Sequence, residues 1–138
     1  MRNSDKFIHI GLLIIRVGMG IVFFFHGLPK LIGGVEAWHE LGSAMSFMGV
    51  NFAPVFWGFM ATFAETAGAI LLILGLFHRF VAFMLAFTMT VAMLMHFDAA
   101  DTYFVYSHTL KAWIVFVALL VSGPGRYSLD YKYFRKIA

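Results

Sequence analysis

The sequence predicts an all-α integral membrane protein: a four-transmembrane-helix bundle with cytoplasmic N and C termini. Three observations carry that expectation. Of the 138 residues, 62% are hydrophobic and only 12% are charged, whereas an ordinary soluble domain is about 45–50% apolar and about 25% charged. Four stretches, 8–32, 52–77, 80–97 and 104–122, reach or approach the length of about 20 apolar residues that a spanning helix needs. The charges between those stretches also separate by sign. Arg2, Lys6, Arg79, Arg126, Lys132, Arg135 and Lys136 fall on one side of a four-span arrangement, and Glu36, Glu40, Asp98 and Asp101 on the other. Basic residues collect on the cytoplasmic side. The chain therefore reads as a single membrane domain over residues 1–138, with a basic cytoplasmic tail over 123–138.

The first span is too long for a signal peptide, carries Arg16 and lacks a small-residue cleavage site. It ends in Phe23-Phe24-Phe25-His26-Gly27-Leu28-Pro29-Lys30-Leu31. Pro29 has no N–H, which deprives the Phe25 carbonyl of its helical donor and is expected to loosen the helix there. Residues 33–51 read as a long loop opened by Gly33-Gly34. His78-Arg79 reads as a tight turn, and residues 98–103 as a short acidic loop. Gly123-Pro124-Gly125 ends the fourth span, because neither residue type continues a helix cheaply. Trp38, Trp57, Tyr103 and Tyr106 mark one membrane interface, and Tyr127, Tyr131 and Tyr133 the other. With no cysteine, disulfides, thiol exchange, thiolate metal sites and iron–sulfur ligation are excluded. The net charge of +3 follows from topology and does not point to nucleic acid.

Ionisable groups inside a bilayer are costly, and they mark function by default. Arg16, Glu65 and Lys111 lie within spans, with Lys30 near an end. At 100° per residue, Arg16, Gly20, Phe23, His26, Gly27 and Lys30 share one stripe of the first helix, while Phe24 and Phe25 point largely to lipid. The second helix carries a matching small-residue face of Gly58, Ala61, Thr62, Glu65, Gly68, Ala69 and Leu72. Such faces pack closely. The two stripes predict a buried ion pair between Arg16 and Glu65, whose role could be structural only.

Lys111 lies roughly 10 Å inside the fourth span, with His108 one turn above it. His26, Lys30, His96, His108 and Lys111 are expected to line the outer third of the bundle above Glu65. Imidazole and ammonium groups can bind carbonyl oxygens and move protons, and apolar walls suit a ring and tail. That combination fits a quinone. A single helix-end Lys or His is more often an interfacial anchor, and Lys30 leans that way. Met89, Met93 and His96 share one face and would suit Cu(I), although a Met stripe is more often adaptable packing. His26, His96 and His108 are candidate ligands of a b-type haem, a reading as weak as copper. No zinc motif is present.

Several runs together resemble the DoxX family of small four-span bacterial membrane proteins. They are Arg16-x-x-x-Gly20 with Phe23 and His26-Gly27-Leu28-Pro29-Lys30; Ala64-Glu65-Thr66-Ala67-Gly68-Ala69 with Leu72, Leu74-Gly75-Leu76 and Arg79; Lys111; and Gly123-Pro124-Gly125-Arg126-Tyr127-Ser128-Leu129-Asp130. The resemblance implies a multi-pass protein of the bacterial cytoplasmic (inner) membrane and a link to redox chemistry. A related DoxD-type subunit belongs to a thiosulfate:quinone oxidoreductase. Another family member is linked to a complex with superoxide dismutase and a sulfurtransferase-like protein.

The expected function is a membrane component of a quinone-linked redox system, with a quinone-like or small lipophilic ligand in an outward-facing polar pocket. No complete catalytic motif is present. The alternative is a non-catalytic anchor for a soluble redox protein, docked at residues 131–138. A small transporter would need a homo-oligomer, since one four-span unit without an inverted repeat leaves little room for alternating access.

Overall fold

The structure, a computed structural model, describes residues 3–134. Arg2, Arg135 and Lys136, and the end of the tail proposed for partner docking, lie outside the described residues. Among the described residues six α-helices follow in order: α1 (Asn3–Ser43), α2 (Pro54–Phe63), α3 (Ala69–Leu74), α4 (His78–Asp98), α5 (Tyr103–Ser122) and α6 (Leu129–Tyr133). A 3-10 turn, Ala44–Met48, follows α1, and a π-helical turn, Ala64–Gly68, joins α2 to α3 into one continuous rod. Four helical segments are long and apolar enough to cross a membrane: Ser4–Met48, Pro54–Leu74, His78–Asp98 and Tyr103–Ser122.

The first span differs most from expectation. Residues 33–51 are not a long loop, because α1 continues through them to Ser43. Forty-one helical residues would reach about 60 Å if straight, twice the roughly 30 Å apolar thickness of a bilayer. The helix is instead interrupted at Gly34 (φ 64°, ψ −149°), a conformation open to glycine, and then resumes. The break falls there rather than at Pro29, which sits on the exposed side of an unbroken stretch. The resumed segment is held by the start of α2. A Cβ on Gly42 would lie 1.7 Å from the Pro54 carbonyl oxygen, and one on Gly58 1.7 Å from that of Trp38. Those contacts exist only because neither position has a side chain.

The α3–α4 turn also lies earlier than expected. Gly75 (φ 66°) and Phe77 (φ 49°) make the reversal, and His78 is already the first residue of α4.

Two small-residue faces set the pairing of α1 with the α2–α3 rod. Gly20 lies against Ala69 and Ile73, and Gly27 against Glu65 and Thr66. Helix α4 pairs with α5 and touches the rod at the π turn and α3. Trp113 Nε1 donates to Thr90 Oγ1 across the α4–α5 seam at 3.0 Å. Phe23 meets Phe116 edge-on, with centroids 4.7 Å apart, and both belong to a core with Leu72, Leu85, Met89 and Leu119. Phe25 is exposed, as expected of a lipid-facing residue, but Phe24 packs against that core.

Large apolar side chains such as Ile14, Val22, Phe80 and Ile114 cover the outside, as the lipid-facing surface of a spanning bundle requires. Gly58→Val is expected to separate α1 from α2 and cost about 3 kcal/mol. A thermal melt of the solubilised protein checks this, with Asn51→Ala as a near-neutral control.

Candidate functional site

The buried polar groups form two separate systems. The first lies at the end of the bundle that carries the termini. Arg16 is 1% exposed. Its Nε donates to the Ile73 carbonyl at 3.3 Å, Nη1 donates to the Pro124 carbonyl, and Nη2 donates to the Tyr127 carbonyl. The glycine at position 75 makes room, since a Cβ there would lie 2.8 Å from Arg16 Nη1. Asp130 is the carboxylate whose charge acts on this guanidinium.

Asp130 also closes the start of α4. Its two carboxylate oxygens accept from the Phe77 and His78 N–H groups, both at 2.8 Å, where an anion satisfies orphan donors and faces the positive end of the helix dipole. The Asp130 N–H donates to the Gly75 carbonyl at 2.9 Å. Ser128 caps α6 by accepting from the Tyr131 N–H at 3.1 Å. The run from Gly123 to Asp130 is thus a latch that ties the chain end to α1 and α4. His78 is fully buried, with Nε2 3.1 Å from the Leu119 carbonyl.

The expected Arg16–Glu65 ion pair does not form. Gly27 sets the level of Glu65 on α1, and eleven residues, about 16 Å of helical rise, separate Arg16 from Gly27. Arg16 and Glu65 do lie on the two helix faces that pack together, but facing sides do not give register. The short distance expected between them assumed equal depths for the two helix ends.

Glu65 pairs instead with Lys30. Lys30 Nζ stands 2.5 Å from Glu65 Oε2, and the side chains are 25% and 1% exposed. Gly27, one turn below Lys30, permits the approach, because a Cβ there would lie 2.7 Å from the Glu65 Cβ. Glu65 sits in the π turn, a local widening common at functional sites. Thr62 and Thr66 return their hydroxyls to the Gly58 and Thr62 carbonyls at 2.8 and 2.7 Å. Trp38 Nε1 reaches back across the Gly34 break to the Lys30 carbonyl at 3.1 Å.

This pair borders a cavity of about 1000 Å³ between α1, α2, α4 and α5, which runs along α4 from Phe80 to His96 and carries its charged and imidazole groups from the middle of the bundle towards the end away from the termini. His26, Lys30, Glu65, His96, His108 and Lys111 all lie in its lining. Its walls are otherwise mostly Phe, Met and other apolar residues, among them Phe23, Met60, Met84, Phe87 and Met89. Val22, Phe56, Phe80 and Phe83 belong both to the lining and to the exposed outer surface, so the cavity opens sideways. His96 Nδ1 lies 2.8 Å from Asp101 Oδ2. Met89 and His96 border the cavity, but Met93 does not. No group of three or more His, Asp or Glu side chains able to hold a metal occurs among the described residues.

Sequence reasoning missed the role of the latch. Asp130 and Ser128 look like ordinary tail residues. The Ser-Leu-Asp run could have been read as a helix cap, but no spacing rule links Asp130 to a helix start more than 50 residues earlier in the chain.

A double-mutant cycle on Lys30 and Glu65 is expected to give a coupling of about 1–3 kcal/mol, while Arg16 and Glu65 couple by less than about 0.5 kcal/mol. Arg16→Met should cost about 3–5 kcal/mol through three stranded carbonyls. Limited proteolysis should then cut within residues 123–134. Arg16→Lys should fail to restore protection, since one ammonium cannot reproduce the planar fork of donors.

Comparison with known proteins bears on identity. The DoxX family profile matches residues 11–98. "Putative oxidoreductase CatD" of Bacillus subtilis is 32% identical over 90 residues, 65% of this chain and 62% of CatD. That match therefore spans less than two thirds of CatD. "Inner membrane protein YphA" of Escherichia coli is 29% identical over 130 residues, covering 86% of this chain and 87% of YphA. An uncharacterized protein of Haemophilus influenzae is 30% identical across 99% of this chain and 100% of its own length. No solved structure matches. The matched segment holds Arg16, the Gly20 and Gly27 contacts, Lys30, Glu65 and the whole of α4, so the chain belongs to the DoxX family and is a bacterial membrane protein of four spanning helices.

Proposed function

We propose that the chain is an integral membrane component of a quinone-linked redox system. It binds a quinone-like or small lipophilic ligand in the cavity beside Lys30 and Glu65. The observation that carries this reading is the cavity itself. Its size, about 1000 Å³, is at the upper end for small-molecule sites, and such sites combine apolar walls with a few convergent polar groups. A quinone ring has carbonyl oxygens for Lys30 and His26, and its apolar tail matches the sideways opening. Glu65 and the histidines can accept and pass protons. The relative whose name describes an oxidoreductase favours a redox setting.

Orientation follows from charge. Lys6, Arg79, Arg126 and Lys132 lie towards the end with the termini, and Glu36, Glu40, Asp98 and Asp101 towards the other. By the positive-inside bias, both termini are cytoplasmic and the charged groups of the cavity lie from the middle of the cytoplasmic membrane outward.

A second reading, a membrane anchor for a soluble redox protein, is favoured by the latch. It presents Tyr127, Lys132, Tyr133 and Phe134, all exposed, on a fixed cytoplasmic surface. Under that reading, removing residues 131–138 abolishes co-purification of the partner and leaves ligand binding intact.

Decyl-benzoquinone is expected to bind the protein in nanodiscs above the empty-disc background. Glu65→Gln and His26→Ala should each weaken it about tenfold, the loss of one good polar contact. Binding equal to the empty disc, or indifferent to both substitutions, contradicts the quinone reading.

A further inference from the structure

The charges around the cavity do not balance, and the imbalance is local. All seven acidic side chains of the chain fall within the described residues. Asp5 lies in the first turn of α1, Glu36 and Glu40 follow the Gly34 break, Asp98 ends α4, Asp101 lies in the turn before α5, and Asp130 holds the latch. Of the seven, Glu65 alone lines the cavity, and it is bound to Lys30. His96 has Asp101. Lys111 also lines the cavity, but it is in neither ion pair found among the described residues. It stands eight residues into α5 from Tyr103, about 12 Å of rise. His108 is on the same face one turn away and also in the lining. Both side chains are exposed to the cavity or the bundle surface, and a cation at that depth without a counter-charge from the chain is costly in a membrane unless something else supplies one.

Accepting the cavity as a ligand site, we propose that its ligand is an anionic amphiphile: a head with one negative charge held by Lys111 and His108, and a tail in the apolar part of the cavity. The Lys30–Glu65 pair, already neutral in sum, offers hydrogen bonds to the rest of the head and attracts no net charge. Phe83, Phe87 and Val115 supply an apolar wall for the tail. The tail can leave between Val22 and Phe83, which are 61% and 55% exposed, so the ligand enters from the lipid phase. The charged head is that of a diffusing acid or of a lipid phosphate, which share this chemistry.

Calorimetric titration of the whole protein in zwitterionic nanodiscs, with empty discs subtracted, tests the charge. The probes are dodecanesulfonate, the nearly isosteric neutral dodecanesulfonamide, and decyl-benzoquinone. The wild type should bind the sulfonate about tenfold more tightly than the sulfonamide, as one desolvated charge contact provides. Lys111→Met should bring that ratio to about one, while Lys111→Arg keeps most of it. A wild-type ratio of one or below, or no binding of either sulfur compound, overturns the proposal whatever the variants do. So does a ratio that survives Lys111→Met. Binding of decyl-benzoquinone is scored separately. If it binds while the ratio is one, the quinone reading stands and the anionic head does not. If it fails to bind while the ratio is tenfold, the anion site stands and the quinone reading does not. Repeating the titration in discs containing phosphatidylglycerol separates the sources. Weaker sulfonate binding there identifies a lipid phosphate as the resident anion, and unchanged binding a diffusing acid.

Discussion

The arrangement of the membrane half away from the termini depends on one interaction, the Lys30–Glu65 pair. Glu65 is almost wholly buried in the middle of a spanning rod, where a lone carboxylate would carry a prohibitive desolvation cost. A cation at the same level offsets that cost. Lys30 is at that level because Gly27 lets α1 approach the π turn until backbone and side chain touch. The pair then fixes the spacing of α1 from the rod. Above it, α1 bends at Gly34 and crosses the start of α2 through Gly42 and Gly58. Below it, Phe23 reaches Phe116 on α5. The cavity is the space that α1, held in this way, leaves against α4 and α5.

Arg16 solves a different problem. A guanidinium buried at the end of the bundle that carries the termini needs acceptors rather than one carboxylate, and backbone carbonyls at Ile73, Pro124 and Tyr127 supply them. These carbonyls are free because they sit at the end of α3 and in the irregular stretch after α5, where helical donors run out. Asp130 completes the joint by capping α4. One charged cluster thus closes the terminal end of the bundle and another shapes the far half. An apolar core of Leu72, Leu85 and Leu119 lies around and between them.

The amphipathic stripes were legible in the sequence because helical phase is a local property. Arg16, Gly20, Phe23 and Gly27 are all buried, as are Gly58, Thr62, Glu65, Gly68, Ala69 and Leu72. Register was not legible. It depends on which small residue of one helix meets which of the other, and the sequence offers several equivalent choices. For that reason Glu65 was matched to the wrong cation. The Gly33-Gly34 break was visible, but its continuation as helix was not, because tertiary contacts at Gly42 and Gly58 override the turn signal. The candidate cavity residues could be grouped by depth alone, since depth follows from counting along each span. The role of the run after Gly123 depended on contacts across more than 50 residues of chain, which no local pattern encodes.

The account makes the cavity a binding site for an amphiphile rather than a gap filled by lipid tails or water. A structure determined from native membranes without added ligand tests that claim most directly. The account predicts one continuous elongated density, with its head between Lys30–Glu65 and Lys111 and its tail leaving past Phe83. A cavity holding only water, or closed by rotation of Phe83 and Phe87 with Lys111 turned to the membrane surface, would contradict it.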